Sequence, residues 1–336
     1  MSNNPTVFAR SVRKIMEAAA PYGRVRNLLR TAGLDREAIQ DPALKIPYAD
    51  MMMLTELAAR AAKDGAFGLH VGEHVDQCSY GIVGRAVMTS PTLGEALHVL
   101  ARYLPIWTDV GSFQLNLDRS VAHFQWQYSN CSLPESRHDC EMTMATVVRF
   151  NRLSRGATWQ PREVWFQHAK PRDVSEHARI FRAPVRFGMP TNALLLDRRL
   201  LTIALKDSNP LLHKVTIEAA EHLLLAASTE VNISHSVGSF IRQNLSSGEV
   251  CLEHAARHLN LSRRTLQRKL RQESSSHRNL VEQARRDLSR YLLLSTDATV
   301  TEVAYALGFS EPSAFHHAFQ KWHGTQPLAY RRIESH

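Results

Sequence analysis

The last hundred residues of the chain contain one short pattern twice, and this repeat constrains the fold more than any other feature. The first copy covers residues 252–270 (LEHAARHLNLSRRTLQRKL) and the second covers residues 300–319 (VTEVAYALGFSEPSAFHHAF). The apolar positions match at a spacing of 48 residues in the first half and 49 in the second half, which places one extra residue at the second turn. Each copy predicts a helix, a tight turn and another helix, a unit that is typical of DNA binding.

In the first copy, Asn260 suits the left-handed conformation of the turn, and Ser262 is expected to cap the next helix and free its N-terminus for phosphate. Leu266 and Leu270 face inward. The residues predicted to contact DNA are Ser262, Arg263, Arg264, Gln267, Arg268 and Arg271. Arginine pairs with guanine and glutamine with adenine in the major groove. A merely solvated basic helix is the alternative interpretation, but the preceding helix and the repeat favour DNA binding.

In the second copy, Gly308 is expected to make the turn and Ser310 to cap the next helix, with Phe315, Phe319 and Trp322 as its buried stripe. The predicted DNA contacts are Ser310, Pro312, Ser313, His316, His317 and Gln320. Histidines are weaker DNA ligands than arginines, so a buried or solvated histidine pair without a DNA role stays open as the alternative.

Charge supports a polyanionic partner through its clustering. The whole chain carries a formal net charge of +9, and residues 257–290 hold 10 basic side chains against 3 acidic ones. One long helix is predicted over residues 276–295, between the two copies. At 1.5 Å per residue, a continuous helix of about 18 residues is roughly 27 Å long. That length is compatible with two insertions into successive major grooves, about 34 Å apart.

The first two hundred residues show mixed periodicity. Helices are predicted at residues 8–33, 47–62, 141–153 and 173–181, and a β-hairpin at residues 113–126 because apolar residues alternate there with a period of two. Strands are also expected near residues 164–168, 185–187 and 193–196. The pattern predicts an α+β N-terminal domain with antiparallel strands and an all-α C-terminal domain of two helix-turn-helix units joined by a long helix. The polar stretch at 228–235 divides the chain into domains 1–228 and 229–336.

The C-terminal motifs resemble those of the AraC/XylS family of bacterial transcription regulators. The motifs that carry the resemblance are Gly308-Phe309-Ser310, Ser313-x-Phe315-x-x-x-Phe319, Gly324-x-x-Pro327-x-x-Tyr330-Arg331 and Ser262-x-Arg264-Thr265-Leu266-Gln267-Arg268. Looser similarity over residues 25–228, including Ala32-Gly33-Leu34, is to the branch with an arabinose-binding-like regulatory domain, to which ornithine- and arginine-responsive regulators belong. Many members have arginine where this chain has His317.

The resemblance implies a sequence-specific transcription regulator that binds promoter DNA through both units and forms a homodimer through its N-terminal domain. The other partners it implies are a small-molecule effector and RNA polymerase, and no cofactor is expected. Which residues bind an effector is not encoded in a recognisable motif. Arg102, Tyr103 and Trp107 are candidates for a pocket, although a place in the core is the stronger expectation for them.

Other classes of function are less well supported by the sequence. The chain has no G-x-S-x-G elbow, no P-loop and no H-E-x-x-H motif, so no enzyme is expected. A metal- or redox-sensing regulator is the alternative, because Cys131, His138 and Cys140 lie within ten residues of one another. No apolar stretch is long enough for a membrane span and no export signal is evident. We therefore expect a cytoplasmic protein with free thiols.

Overall fold

The structure is a computed structural model that describes residues 6–22, 25–41, 44–128, 136–206, 208–229 and 233–334. The predicted fold class is confirmed: an α+β N-terminal part is followed by a helical C-terminal part. The strands are β1 (Thr6–Phe8), β2 (Lys45–Pro47), β3 (Gly111–Leu117), β4 (Val121–Tyr128), β5 (Glu163–Trp165), β6 (Val185–Arg186) and β7 (Asn192–Asp197).

The N-terminal part also contains nine α-helices among the described residues. They are α1 (Arg10–Ala19), α2 (Val25–Ala32), α3 (Tyr48–Ala62), α4 (Phe67–Glu73), α5 (Gly81–Thr89), α6 (Leu93–Trp107), α7 (Arg137–Arg155), α8 (Ser175–Phe181) and α9 (Pro210–Thr229). The prediction of one continuous helix over residues 8–33 is wrong. A strand, two helices and a short 3-10 turn at Ala20–Tyr22 cover this range, because Pro21 lacks the N–H that a continuous helix requires.

Five strands form the larger sheet in the order β3-β4-β7-β5-β6. The predicted hairpin is present as β3 and β4, with Phe113 opposite Trp126. The expectation of antiparallel strands fails for one pair, since β5 and β6 run parallel. Helix α8 lies between these two strands in the chain and carries it back to the same end of the sheet, which is the connection that parallel strands need.

The C-terminal part consists of seven helices among the described residues. They are α10 (Ile233–Asn244), α11 (Leu252–His258), α12 (Arg263–Gln272), α13 (His277–Ser295), α14 (Val300–Ala306), α15 (Pro312–His323) and α16 (Pro327–Glu334). Helix α13 runs between the two helix-turn-helix units, as predicted. Its inward residues Leu280, Ala284 and Leu288 are buried, and α13 packs on α10 and on the later helices α14, α15 and α16.

Helix α13 also joins the C-terminal part to the N-terminal part. Its Arg290 side chain donates from Nη2 to the carbonyl oxygen of Thr31 at 3.1 Å, and its Nη1 lies 3.4 Å from Oδ1 of Asp50 in α3. Gly33 passes directly beside this guanidinium with φ +82°, and a Cβ there would lie 2.9 Å from Arg290 Nη2. Glycine at this position therefore satisfies both the left-handed backbone and the close contact between the two parts.

Candidate DNA-binding surface

The first helix-turn-helix unit is built by short-range hydrogen bonds. Asn260 has φ +53°, and the N–H of Leu261 donates to the carbonyl of Ala256 at 2.9 Å. The left-handed Asn260 and this hydrogen bond together end α11, as in a Schellman C-cap. Ser262 then begins α12, because its Oγ accepts from the N–H of Thr265 at 3.1 Å. The predicted roles of Asn260 and Ser262 in the fold are thus confirmed.

Helix α12 separates a buried face from a basic one. Leu266 and Leu270 are buried. At about 100° per residue, four residues away from this buried face fall within an arc of about 100°, and all of them are exposed. They are Arg264, Gln267, Arg268 and Arg271. The helix contains no acidic residue. Within the described residues, Arg264 and Arg268 form no ion pair, so their guanidinium groups are available to a ligand.

Arg263 lies outside this arc. Its Nη1 forms an ion pair of 2.7 Å with Oε1 of Glu253 in α11. A hydrogen bond from the backbone of Glu253 itself, together with the charge of Arg263, lowers the pKa of Glu253. Both side chains are largely exposed, so the pair is a weak surface contact. Arg263 can therefore exchange its carboxylate for a phosphate at little cost.

The second unit repeats the turn 48 residues later. Gly308 occupies the place of Asn260 with φ +69°, and the N–H of Phe309 donates to the carbonyl of Ala304 at 3.1 Å. A Cβ on Gly308 would lie 2.2 Å from the carbonyl oxygen of Leu245. A close approach of α10 and the left-handed backbone therefore both require glycine at this turn.

The expectation that Ser310 caps α15 is wrong. Helix α15 begins at Pro312, and Glu311 is the residue at its N-cap, without a side-chain cap bond. The extra residue of the second copy lies between the turn and the cap, so the position equivalent to Ser262 is Glu311 at a spacing of 49. Proline fits the first helical turn because its missing N–H has no partner there in any case.

The outward face of α15 matches that of α12 position by position. Its Phe315 and Phe319 are fully buried, like the leucines of α12. At a spacing of 49, the counterparts of the four arc residues of α12 are Ser313, His316, His317 and Gln320. The exposed arc has three arginines on α12 and none on α15. The first unit therefore presents more positive charge on this surface than the second unit does.

Three of these four residues of α15 already have partners. His316 Nδ1 lies 3.0 Å from Oε1 of Gln326, and Gln326 Nε2 donates to Oε1 of Gln320 at 2.7 Å. His317 and Ser313 are exposed, and Ser313 contacts its neighbour Glu311 at 3.3 Å. The outer surface of α15 is therefore polar, and Gln326 orders part of it.

Arg285 of α13 fixes the second turn. Its Nε and Nη2 donate to the carbonyls of Leu307 and Gly308 at 3.0 and 3.1 Å, and its guanidinium lies 4.4 Å from the ring centre of Phe309. Arg331 of α16 similarly donates to carbonyls near the end of α13, including that of Leu293 at 2.8 Å. These two arginines of the C-terminal domain hold the second unit on α13.

The residues of the alternative sensor site do not form one cluster in the described structure. Cys131 lies outside the described residues. Cys140 is buried with its Sγ 3.3 Å from the hydroxyl of Tyr128, whereas His138 Nδ1 accepts the N–H of Gly68 at 3.3 Å. In the described ranges, no group of three or more His, Cys, Asp or Glu side chains is placed to hold a metal ion.

The three candidates for an effector pocket have different roles. Arg102 and Tyr103 both donate to Oε1 of Glu221 in α9, at 2.8 and 2.6 Å, and so tie α6 to α9. Trp107 is buried and lines a cavity. Sequence reasoning missed the other residues of that cavity, because they come from many segments that are distant in the chain.

Comparison with known proteins identifies both parts of the chain. Residues 23–205 match the arabinose-binding domain of AraC transcription regulators, and residues 255–333 match a helix-turn-helix domain. The chain belongs to the AraC family. The regulator is 27% identical to the ornithine utilization regulator of Pseudomonas aeruginosa over 331 residues, which cover 97% of this chain and 96% of that protein.

Two further proteins resemble the regulator over most of its length. The HTH-type transcriptional regulator VirS of Mycobacterium tuberculosis is 25% identical over 285 residues, which cover 84% of this chain and 83% of VirS. The solved structure of the transcriptional regulator CdpR from Pseudomonas aeruginosa covers 91% of this chain and 96% of its own, with 20% identity and a TM-score of 0.45. The family and its relatives establish a DNA-binding transcription regulator.

None of the described helices is both long and apolar enough to cross a membrane.

Proposed function

We propose that α12 is the principal base-reading helix of this regulator and that α15 makes a second, weaker contact with promoter DNA. The observation that carries the proposal is the exposed arc of Arg264, Gln267, Arg268 and Arg271, opposite two buried leucines. An amphipathic recognition helix with this arrangement can enter the major groove while its apolar face stays in the core.

The chemistry of each side chain suggests its role. Arg264 and Arg268 have the planar fork that pairs with O6 and N7 of guanine, and Gln267 can pair with N6 and N7 of adenine. Arg271 and the capped N-terminus at Ser262 suit phosphate oxygens. Arg263 adds a phosphate contact when it leaves Glu253.

The contact through α15 rests on weaker groups. The candidates for contact with base edges are Pro312, Ser313, His316 and His317. The candidates for contact with the DNA backbone are Ser310 and Gln320. None of these side chains has the permanent positive charge of arginine, so their contact with phosphates releases fewer counterions. We therefore expect α15 to contribute less to affinity than α12.

The distance between the two contacts is supported by α13. Its 19 residues correspond to a length of about 28 Å at 1.5 Å per residue. Successive major grooves on one side of B-DNA are about 34 Å apart. Helix α13 connects the two units in the chain, and α15 contacts its first half, where Trp322 Nε1 donates to Oε1 of Glu282 at 3.0 Å. We expect both recognition helices to face the same side of one duplex.

The first experiment finds the operator and tests its recognition. Bound sites of the full-length regulator are mapped across the genome, and binding to the strongest site is measured by fluorescence anisotropy at several salt concentrations. We expect affinity to fall steeply as salt rises. Arg263→Ala should weaken binding to all sequences alike, whereas Arg264→Ala should also lose preference at one base pair. Equal affinity of the regulator for the site and for unrelated DNA would contradict the proposal.

A homodimer through α9 is the second part of the proposal. The inner face of α9 packs on α5 and α6 through Thr216 and Ala220, which are buried. Its outer face presents large apolar side chains to solvent, with Leu211 75%, Val215 53% and Leu225 63% exposed. A helix in contact with a partner has such a stripe, and a second copy of the chain would cover the same stripe in both protomers.

The oligomeric state tests this surface. Val215→Glu should convert a dimer to a monomer in sedimentation velocity, because it places a charge in an apolar interface. Leu117→Glu is the matched control, since Leu117 is also 53% exposed but lies at the end of β3. A monomeric parent protein, or a Val215→Glu variant that stays dimeric, would refute the assignment of α9.

Control by a small molecule is the third part. The regulator combines the DNA-binding units with a domain of the arabinose-binding type, and a relative over nearly its full length is named for ornithine utilization. Both findings support an effector that binds the N-terminal domain and changes DNA binding.

A further inference from the structure

A cavity that is partly open to solvent lies in the N-terminal domain, between α1, α3, α6, α7 and the first two strands of the larger sheet. Its volume is about 70 Å³, several times the roughly 10–15 Å³ that one water molecule needs. Its aromatic wall consists of Tyr48, Tyr80, Trp107, Phe113, Trp126 and Phe150. Mostly apolar cavities with a few polar groups are the usual form of small-molecule sites.

One acidic group, Asp139 in the first turn of α7, lines this cavity. Its side chain is 1% exposed. Oδ2 accepts hydrogen bonds from the hydroxyls of Tyr48 and Tyr128, the latter at 2.5 Å. The other oxygen, Oδ1, has no hydrogen-bond partner in the described structure. A buried carboxylate oxygen without a donor is costly, so this atom is placed to receive one from a ligand.

The surrounding groups favour a cation over a neutral donor. The faces of aromatic rings attract cations, most strongly where water is excluded. The cavity is also lined by Lys14, but its Nζ is held by Glu17 at 2.9 Å and Asp76 at 3.1 Å, which offsets its charge. Among the described residues, no cation forms an ion pair with Asp139, so its carboxylate can supply the cavity with a negative charge.

We propose that this cavity is the effector site and that it binds a small organic amine as the protonated cation. The ammonium group would contact Asp139 Oδ1, and the carbon skeleton would pack on the aromatic wall. Three more buried polar atoms without partners belong to lining residues: Ser11 Oγ, Thr146 Oγ1 and Trp126 Nε1. The indole N–H is a donor only, so it suits an acceptor atom elsewhere on the same ligand.

The protonation of Asp139 is compatible with this role. Burial raises its pKa to about 6, although the hydrogen bonds from Tyr128 and Tyr48 act in the opposite direction. The carboxylate is thus mainly ionised at neutral pH. A bound ammonium group would lower this pKa, because an opposite charge favours the ionised form.

A ligand in this cavity is also well placed to influence the DNA-binding units. Tyr48, which holds Asp139, begins α3, and Asp50 two residues later contacts Arg290 of α13. Occupancy of the cavity can therefore bias the α3–α13 contact. The regulatory consequence rests on the proposed function, whereas binding of the amine itself does not.

The test uses the full-length regulator and two pairs of probes matched in shape, benzylamine with benzyl alcohol and n-butylamine with 1-butanol. Binding is followed by tryptophan fluorescence, since Trp107 and Trp126 line the cavity. We expect each amine to bind at least about tenfold more tightly than its alcohol. Asp139→Asn should reduce this preference to about one, and Asp118→Asn, an exposed carboxylate on the β-hairpin, should leave it unchanged.

Three outcomes would overturn the proposal. Amine and alcohol could bind equally, the preference could survive in a folded Asp139→Asn variant, or neither amine could bind at millimolar concentrations. Circular dichroism of each variant shows whether it is folded. The Asp118→Asn control shows whether the loss of any carboxylate, or only that of Asp139, removes the preference for amine over alcohol. No DNA is present in the assay, so failure here would leave the base-reading role of α12 intact.

Discussion

Removal of the Arg290 guanidinium should weaken the contact between the two parts of the regulator. The side chains of Arg290 and Asp50 are only 16% and 15% exposed, and Arg290 also donates to the carbonyl of Thr31 and to the hydroxyl of Tyr330. Arg290→Met keeps most of the side-chain volume but leaves the carboxylate of Asp50 without its cation. Breaking a buried pair in this way costs roughly 3–5 kcal/mol.

We expect the lower end of that range, about 3 kcal/mol, because the closest approach of the pair is 3.4 Å and burial already raises the pKa of Asp50 to about 6 with Arg290 present. Without Arg290 this pKa rises further. A carboxyl group whose folded-state pKa exceeds its unfolded value stabilises the fold at low pH and loses that advantage as pH rises. The loss in Arg290→Met should therefore be larger at pH 8 than at pH 5.

The assay is urea unfolding of the single variants and of Arg290→Met/Asp50→Asn in a double-mutant cycle. The double variant should recover part of the lost free energy of unfolding, since asparagine at position 50 leaves no buried charge without a partner. Arg278→Met is the matched control, because Arg278 lies on the same helix but is exposed and is not among the charges that act on Asp50. A coupling energy within about 0.5 kcal/mol of zero, or equal losses in both single arginine variants, would refute the argument for a buried link between α3 and α13.

Three further substitutions test separate parts of the structure. Asp139→Asn should stabilise the unliganded protein by up to about 3 kcal/mol at pH 8 and not at all below pH 4. The reason is that burial raises the pKa of Asp139 from 3.8 to about 6. An equal gain in stability at both pH values, measured by thermal unfolding, would contradict this prediction. Gly308→Ala should cost more than about 2 kcal/mol in the same measurement, from the left-handed backbone and the clash with the Leu245 carbonyl, whereas Asn260→Gly in the equivalent turn should change little. Thr299→Ala should cost about 1 kcal/mol, since Thr299 and Glu302 form a capping box at the start of α14. An unchanged free energy of unfolding would show that the capping box does not stabilise the protein.

The helix-turn-helix units could be predicted from the sequence because their geometry is local. Asn260 and Gly308 adopt the same positive φ at the same place in each copy, and each turn is closed by hydrogen bonds over five residues or fewer. The error at Ser310 has a local cause as well. Its spacing from Ser262 matches the first half of the repeat, but the inserted residue moves the cap to Glu311.

The cavity could not be predicted in the same way. Asp139 and Tyr48 meet although 91 residues separate them, and the pairing of Arg290 with Asp50 spans 240 residues. Neither contact leaves a periodic pattern in the sequence. The parallel pairing of β5 and β6 likewise depends on the path of the chain through α8, since short apolar runs do not encode strand direction.

The most direct test of α12 as the base-reading helix compares Arg268→Ala with Arg332→Ala, an exposed arginine of α16, on the mapped operator and its single base-pair variants. We predict that Arg268→Ala loses about 1–3 kcal/mol of binding free energy on the operator, roughly 5- to 150-fold in affinity, and no longer distinguishes the base at one position. Arg332→Ala should bind like the parent. If Arg268→Ala binds the operator as tightly as the parent and with unchanged base preferences, α12 does not read DNA as proposed.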